Sequence, residues 1–386
     1  MSSNSLTFRF LGVLSALTVL NVTFFGVNWT RRDAVRTCSV DDVIVGVTRY
    51  IRASGALSVS SAMPQSCQAH ESGTQSQVDL VKSIRDTIAT CNVVNASDAS
   101  KVTSSRPLIT IFTTWPDSDN EEKRRIHNIT LRNWSMFKPR LQIYVFTNSS
   151  VDKVLAESYK AKVFPILHHN GGGSPVLRWM FQQAKEHSGG NSHFYGYVNS
   201  DILFTDMFIQ TLDEISMRKN NSKPLLIVGR RTNVMDVTYE EADTFDDLSH
   251  AAAGRGEQFG TNAEDFFITN SAYPWKNMLE VVVGRLAYDN WIVAHSLCKL
   301  HVDVIDVSDT VLAVHQSTKA GGNFEGFKSE HAHYNNALFK VHGLNPTWEN
   351  GFTTCAPERT FVNLCGRVTL TRRLVFADTC ACRPGN

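Results

Sequence analysis

Several signatures that would settle a chemistry at once are missing from this sequence. Its eight cysteines are Cys38, Cys67, Cys91, Cys298, Cys355, Cys365, Cys380 and Cys382, and no two stand in C-x-x-C spacing. That argues against a zinc ribbon or a thioredoxin-type redox motif. There is no G-x-S-x-G elbow and no H-E-x-x-H pair, which removes the usual α/β-hydrolase and zinc-protease signatures. The loop His168-His169-Asn170-Gly171-Gly172-Gly173 is glycine-rich but has neither the Lys nor the Ser/Thr of a P-loop. Charge is scarce and balanced. Charged residues make up 19% of the chain, the net charge is +1, and no long basic run occurs, so nothing invites nucleic acid.

What is present is an ordinary globular composition, 42% hydrophobic over 386 residues. That length suits one large domain with appendages, or two domains. Phe10 to Thr30 contains no charged residue and is flanked by Arg9 on one side and by Arg31 and Arg32 on the other. Such a run is about the ~20 residues needed to span a bilayer as a helix. An uncleaved signal anchor is the first reading, a cleaved signal peptide the second and a buried soluble helix the third. Arg31 and Arg32 outnumber Arg9, which taken alone opposes a luminal carboxyl end. N-glycosylation sequons at Asn21, Asn28, Asn95, Asn128, Asn133, Asn148 and Asn220, together with the cysteines, outweigh that count. They favour an oxidising, secretory compartment, with the carboxyl side luminal in the Golgi or the endoplasmic reticulum.

Four regions are expected: a tail and anchor over 1–32, a stem over 33–105, a folded domain over 106–350 and a cysteine-rich tail over 351–386. The stem is rich in Ser, Thr, Ala and Gln, with a helical piece expected around Gln77 to Ile88. From Pro107 the pattern changes to apolar runs alternating with amphipathic stretches. Strands are expected at Pro107–Thr114, Leu141–Phe146, Lys162–Leu167 and Phe194–Val198. Helices are expected at Glu121–Trp134 and Val151–Ser158, and from Pro175 to Ala184 with Ser174 as cap. This βα alternation predicts a mostly parallel sheet with helices on both faces. Further on come a helix over Met207–Met217 and a strand over Pro224–Gly229. An acidic surface loop or lid follows over Asp236–Asp247, then a strand over Asp265–Thr269. A helix from Tyr288 to about Leu297 and a strand over Val302–Val307 complete the series.

The stretch Phe194-Tyr195-Gly196-Tyr197-Val198-Asn199-Ser200-Asp201 draws the eye. A buried strand runs straight into a polar triplet, and ligands of open α/β sheets bind outside the carboxyl ends of the strands. An isolated Asn-Ser-Asp serves equally well to cap a turn. Asp265, Asp289 and His315 share its context, each expected at a strand end or a helix start. One Asp, one His and several waters would suit Mn²⁺ or Mg²⁺ holding a diphosphate. Tyr288, Trp291 and the Trp179-Met180-Phe181 run are read as core rather than as sugar-stacking platforms.

Taken together, these segments resemble a GT-A-fold glycosyltransferase of the nucleotide-diphospho-sugar transferase type. The resemblance runs from about Pro107 to Gln316. It rests on LITIFTT, on YGYVNSDILF in the place of a D-x-D motif, on IVGRRTN, on AEDFFIT, and on GRLAYDNW followed by AVHQ. The anchor and stem match the layout of type II Golgi enzymes of this kind. The resemblance implies a nucleotide-sugar donor, a UDP-sugar in the first place, and a glycan or glycoprotein acceptor. Thr113 and Thr114 would border the base and ribose, with Asn199 and Ser200 at the diphosphate. Asp201 would bind the metal and His315 would complete its shell. Arg230 and Arg231 would hold the donor sugar or the phosphates. Asp265 would contact donor or acceptor sugar, and Asp289 would be the general base. Asn199 departs from the pattern, because the family has an acid there. A carbohydrate-binding protein that has lost catalysis, or a cytosolic nucleotidyltransferase, are the alternatives; the anchor and sequons oppose the second.

Overall fold

The computed structural model describes residues 106–115, 120–170, 172–318, 330–344, 349–363 and 365–382. The expected anchor, the stem, Cys38, Cys67 and Cys91, and the sequons at Asn21, Asn28 and Asn95 lie outside them. Among the described residues no helix is long and apolar enough to cross a membrane. The described residues fall into two units, a first that contains residues 362–369 and a second of residues 104–361 with 370–386.

The second unit is built on a mixed sheet. The strands are β1 (Ile109–Thr114), β2 (Leu141–Phe146), β3 (Lys162–Phe164), β6 (Phe194–Val198), β8 (Leu225–Met235), β10 (Glu264–Asn270), β11 (Asp303–Asp306) and β13 (Glu358–Val362), in the order β13-β11-β8-β10-β6-β1-β2-β3. The pairs β1–β2, β1–β6, β2–β3, β8–β11 and β11–β13 are parallel, whereas β10 runs antiparallel to both β6 and β8. The shorter β7 (Ile202–Phe204) pairs antiparallel with β12 (Ala313–Ser317), which lies parallel to the second half of β8. The expectation of a mostly parallel α/β sheet is met in the main strand order, where β10 alone is reversed; the short β7–β12 pair is antiparallel as well.

Period-two alternation explains why both faces are covered. Phe112, Tyr144, Phe146, Tyr195, Tyr197, Leu226, Val228 and Phe267 face one way. They pack under α3 (Leu177–His187) and α6 (Tyr288–Cys298). Ile109, Ile111, Ile143, Val145, Phe194, Val198, Ile227, Phe266 and Ile268 face the other way. They pack under α1 (Glu121–Ser135) and α4 (Met207–Arg218). The short α2 (Ser150–Ser158) links β2 to β3, and Ser149 caps it by accepting the Asp152 N–H. Gly196 in β6 fits because a Cβ there would stand 2.9 Å from Ile268 Cγ1 of the neighbouring strand. Tyr288, Trp291, Met180 and Phe181 are buried, as expected of core residues, whereas Trp179 is only half-buried, stacked on His168 and donating Nε1 to Glu280.

Four local expectations are corrected. Ser174 and Pro175 do not open a helix. They form a short strand, β5 (Ser174–Pro175), paired with β4 (His169–Asn170), and α3 begins at Leu177 after the cap position Val176. Pro175 fits there because its carbonyl takes the Val283 N–H while its missing N–H is not needed. The third strand stops at Phe164, short of Leu167. The strand begun at Leu225 runs through Arg230-Arg231-Thr232-Asn233 to Met235, because β12 and β9 (Glu257–Gln258) supply partners for that polar half. The acidic stretch after Asp236 ends in α5 (Phe245–Arg255), capped by Thr244, which accepts the Asp247 N–H.

Near the carboxyl end, Cys355 bonds Cys380 and Cys298 bonds Cys382. The expected disulfide-tied tail is thus fastened to the end of α6.

Candidate active site

The polar triplet after β6 is held from three sides. Asn199 donates its backbone N–H to the Asp265 carbonyl at 2.9 Å. The Ser200 carbonyl accepts from Thr130 Oγ1 of α1 at 2.8 Å, and the Asp201 carbonyl accepts the Gln316 N–H at 3.0 Å. Gln316 Nε2 closes the ring by donating to Thr130 Oγ1 at 2.8 Å. Behind the triplet, Trp134 Nε1 donates to the Ile202 carbonyl at 2.9 Å. The Asn133 side chain pairs with both the N–H and the carbonyl of Phe204. The triplet is therefore a fixed turn at the sheet's carboxyl edge rather than a free loop.

Because β10 runs antiparallel, its first residues reach the same edge as the end of β6. This brings Asp265 beside Asn199, whose Nδ2 donates to Asp265 Oδ1 at 2.6 Å. Arg231 Nη1 reaches both Asp265 oxygens, at 3.1 and 3.0 Å, while its guanidinium carbon lies 4.6 Å from the centre of the Phe259 ring. Asp265 is buried and its carboxylate is engaged by these two neighbours.

Asp201 meets His315, with Oδ2 and Nε2 3.3 Å apart. His315 sits in the middle of β12 rather than at a strand end, and its Nδ1 contacts Ser317 Oγ at 3.1 Å. Burial pushes the Asp201 carboxyl up, but the charge and hydrogen bond of His315, helped by Arg231, hold it below the usual carboxylate range. Burial likewise depresses His315, and Asp201 more than offsets it, so the imidazole is raised above its ordinary value. The second oxygen, Asp201 Oδ1, is buried without a partner.

Asp289 is the second residue of α6, partly exposed. The residue before that helix, Ala287, is held at φ 71°. A non-glycine residue in the left-handed region costs about 1–2 kcal/mol, and such strain clusters at functional positions. Burial, then the charge of Asp265, push Asp289 up to about 7, against the lowering effect of the Asn290 N–H and Arg231. Burial raises both Tyr197 and Tyr288, and both feel the charges of Asp201 and Asp265. The carboxylates thus form one coupled set.

The other expected site residues lie around this set. Thr113 Oγ1 is buried without a partner, and Thr114 Oγ1 donates to the Phe146 carbonyl at 3.1 Å. Arg230 donates its backbone N–H to Ser308 Oγ, and its Nε is buried without a partner. Among the sequons, Asn148 and Asn220 are exposed and Asn128 is half-buried. Asn133 is fully buried with its amide engaged by Phe204, a position that no glycan can occupy in this fold.

Sequence reasoning missed two groups. His127 stacks on Trp115, with ring centres 4.3 Å apart, and burial against the pull of Asp201 drives it down to about 3. Glu264, next to Asp265, is buried and pushed well above the usual carboxyl range by burial and by Asp289. Nothing local marks His127, since it sits on the apolar face of an amphipathic helix. Glu264 was visible only as the neighbour of Asp265.

No protein-family model matches the chain, and no curated protein matches it. Among solved structures, residues 1–349 of S. aureus TarS are 17% identical over 33% of this chain, with a TM-score of 0.23. The likeness covers 36% of that chain and 22% of another TarS structure. The mannosyltransferase PcManGT of Pyrobaculum calidifontis, in complex with GDP-Man and Mn²⁺, is 8% identical over 67% of this chain and 74% of that one, with a TM-score of 0.32. A mycobacterial protein is 10% identical over 74% of this chain and 87% of that one, with a TM-score of 0.34. Likenesses this low decide nothing about the chemistry of this chain.

Proposed function

We propose that the chain is a glycosyltransferase that moves a sugar from a nucleotide-diphosphate donor, a UDP-sugar in the first place, to a hydroxyl of a glycan or glycoprotein. The observation that carries this reading is the coupled set Asp201, Asp265, Asp289 and His315. Four distant stretches of chain supply it at the carboxyl edge of one sheet.

Asp201 and His315 supply a carboxylate with an unpartnered buried oxygen and an imidazole. That donor pair fits a divalent ion of the Mn²⁺ or Mg²⁺ class whose other ligands are phosphate oxygens and water. Among the described residues no group of three or more His, Cys, Asp or Glu is placed to hold a metal, so the protein would contribute these two ligands only. When bound, the ion would neutralise charge on the departing nucleoside diphosphate. Asp289, with a proton affinity near neutrality, would take the proton of the acceptor hydroxyl as its oxygen bonds to the anomeric carbon and the bond to the diphosphate breaks. If transfer retains configuration, Asp289 instead orients the acceptor. Arg231 and Asn199 hold Asp265 in place beside them. A luminal, membrane-anchored Golgi or endoplasmic reticulum setting remains part of the proposal. The exposed sequons Asn148 and Asn220 and the two disulfides support it.

The test is release of nucleotide from a panel of UDP- and GDP-sugars by purified protein, with and without Mn²⁺. Release from one donor that is lost in Asp201→Ala supports the reading. No release and no metal-dependent stabilisation by UDP sinks it. The engagement of Asp265 by Arg231 and Asn199 favours one second reading, a carbohydrate-binding protein without turnover. Glycan binding without nucleotide release would select that.

A further inference from the structure

Asn290 ties together stretches of chain that are far apart in sequence. Its Nδ2 donates to Glu264 Oε2 at 3.1 Å, to the Gly351 carbonyl at 2.9 Å and to the Asn262 carbonyl at 3.3 Å. Its backbone N–H donates to Asp289 Oδ1 at 3.0 Å. Gly351 packs so tightly here that a Cβ on it would stand 2.5 Å from the Asn290 carbonyl oxygen. Asn290 and Glu264 are 2% and 1% exposed.

A shift of register between Glu264 and Phe267 in the pairing of β10 with β8 lets two successive acids, Glu264 and Asp265, both be buried at this edge. Such an arrangement is expensive for mere packing. Burying a polar group without a full set of partners is costly, and both Glu264 Oε1 and Asn290 Oδ1 lack one. Burial and the nearby Asp289 charge push the Glu264 carboxyl well above its usual range, which favours the uncharged form as the acceptor of the Asn290 amide.

We propose that Asn290, locked by Glu264, is a positioning residue for Asp289. Through the N–H that reaches Asp289 Oδ1, the lock fixes where that carboxylate points and stabilises its ionised form. The proposal rests on the reading of Asp289 as the base.

The experiment compares the full-length protein with Asn290→Ala, Glu264→Ala, Glu264→Gln and Asp289→Ala. It measures nucleotide release against pH with the donor found in the panel, and UDP affinity by calorimetry. Glu264→Gln keeps an uncharged acceptor and should retain kcat within about threefold. Asn290→Ala and Glu264→Ala should each lower kcat by more than about tenfold at unchanged donor KM and UDP affinity. They should also move the rising limb of the pH profile upward, since the backbone N–H that reaches Asp289 Oδ1 is no longer held in place by the Asn290 side chain. A pH profile of Asn290→Ala that superimposes on wild type overturns the proposal, as does a Glu264→Gln as damaged as Glu264→Ala. Full turnover in Asp289→Ala removes the base reading itself. Loss there with an unaffected Asn290→Ala removes only the positioning role. Should Asn290→Ala prove too unstable to purify, Asn290→Leu, which is close in volume but has no donor, is read the same way.

Discussion

Asn199 gives its amide hydrogen to Asp265 across 2.6 Å. This contact needs a donor at position 199, where the D-x-D motif that the stretch resembles has an acid. A carboxylate at 199 would stand against a second carboxylate that is already buried. Asn199→Asp should therefore weaken the fold by about 1–3 kcal/mol, the usual cost of leaving a buried hydrogen-bonding group unsatisfied, rather than restore a better metal site. Urea denaturation at pH 7 checks it. Unchanged stability together with tighter Mn²⁺ binding would refute it.

On the proposed reading, Asp289 sets the pH dependence of turnover. With the carboxyl pushed up to about 7, turnover should rise with pH and reach half its plateau near that value. Stability should move the other way. The folded protein holds this proton more tightly than the unfolded chain, so the contribution is full below the ordinary value of 3.8 and is lost as pH rises through about 7. Asp289→Asn should abolish turnover and flatten that part of the stability profile, as thermal melts from pH 5 to 8 would show.

His315 and Asp201 support one another. Removing the imidazole in His315→Ala leaves a buried carboxylate with neither oxygen paired by a side chain, at a cost of about 1–3 kcal/mol. The raised imidazole contributes stability below its ordinary value of 6.5, and that contribution fades as pH rises through its folded value. The difference between wild type and His315→Ala should accordingly be larger at pH 6 than at pH 9. The same variant should lose the Mn²⁺-dependent part of UDP stabilisation, measured by thermal shift.

Glycan mapping by mass spectrometry of protein made in a secretory host should find Asn148 and Asn220 occupied and Asn133 empty. Asn133 is buried against Phe204, so a glycan there would report an unfolded fraction.

Much of the frame was legible in the residues. β2 and β6 match their expected bounds because each is a mostly apolar run between polar breaks. The second half of β8 was not legible, since Arg230 to Asn233 look like a loop until β12 supplies a partner from a distant part of the chain. α5 was hidden because its first turn is acidic and its body is short alanines, with almost no apolar stripe to read. Asp201, Asp265, Asp289 and His315 could be listed from their neighbours. That Asp201 lies against His315, and Asp265 against Asn199 and Arg231, depended on the reversed direction of β10 and on β12 returning beside β7. His127 carried no local mark, and Glu264 none beyond its place beside Asp265.

The bond between Cys298 and Cys382 has a consequence in time. Cys298 ends the helix that Asp289 begins, and its partner is made 84 residues later. At roughly 5–20 residues per second of synthesis, that helix waits several seconds for its fastening. Until then Cys298 is an unpaired thiol exposed to the wrong partner. The yield of correctly paired protein should thus depend on how well the host reshuffles disulfides.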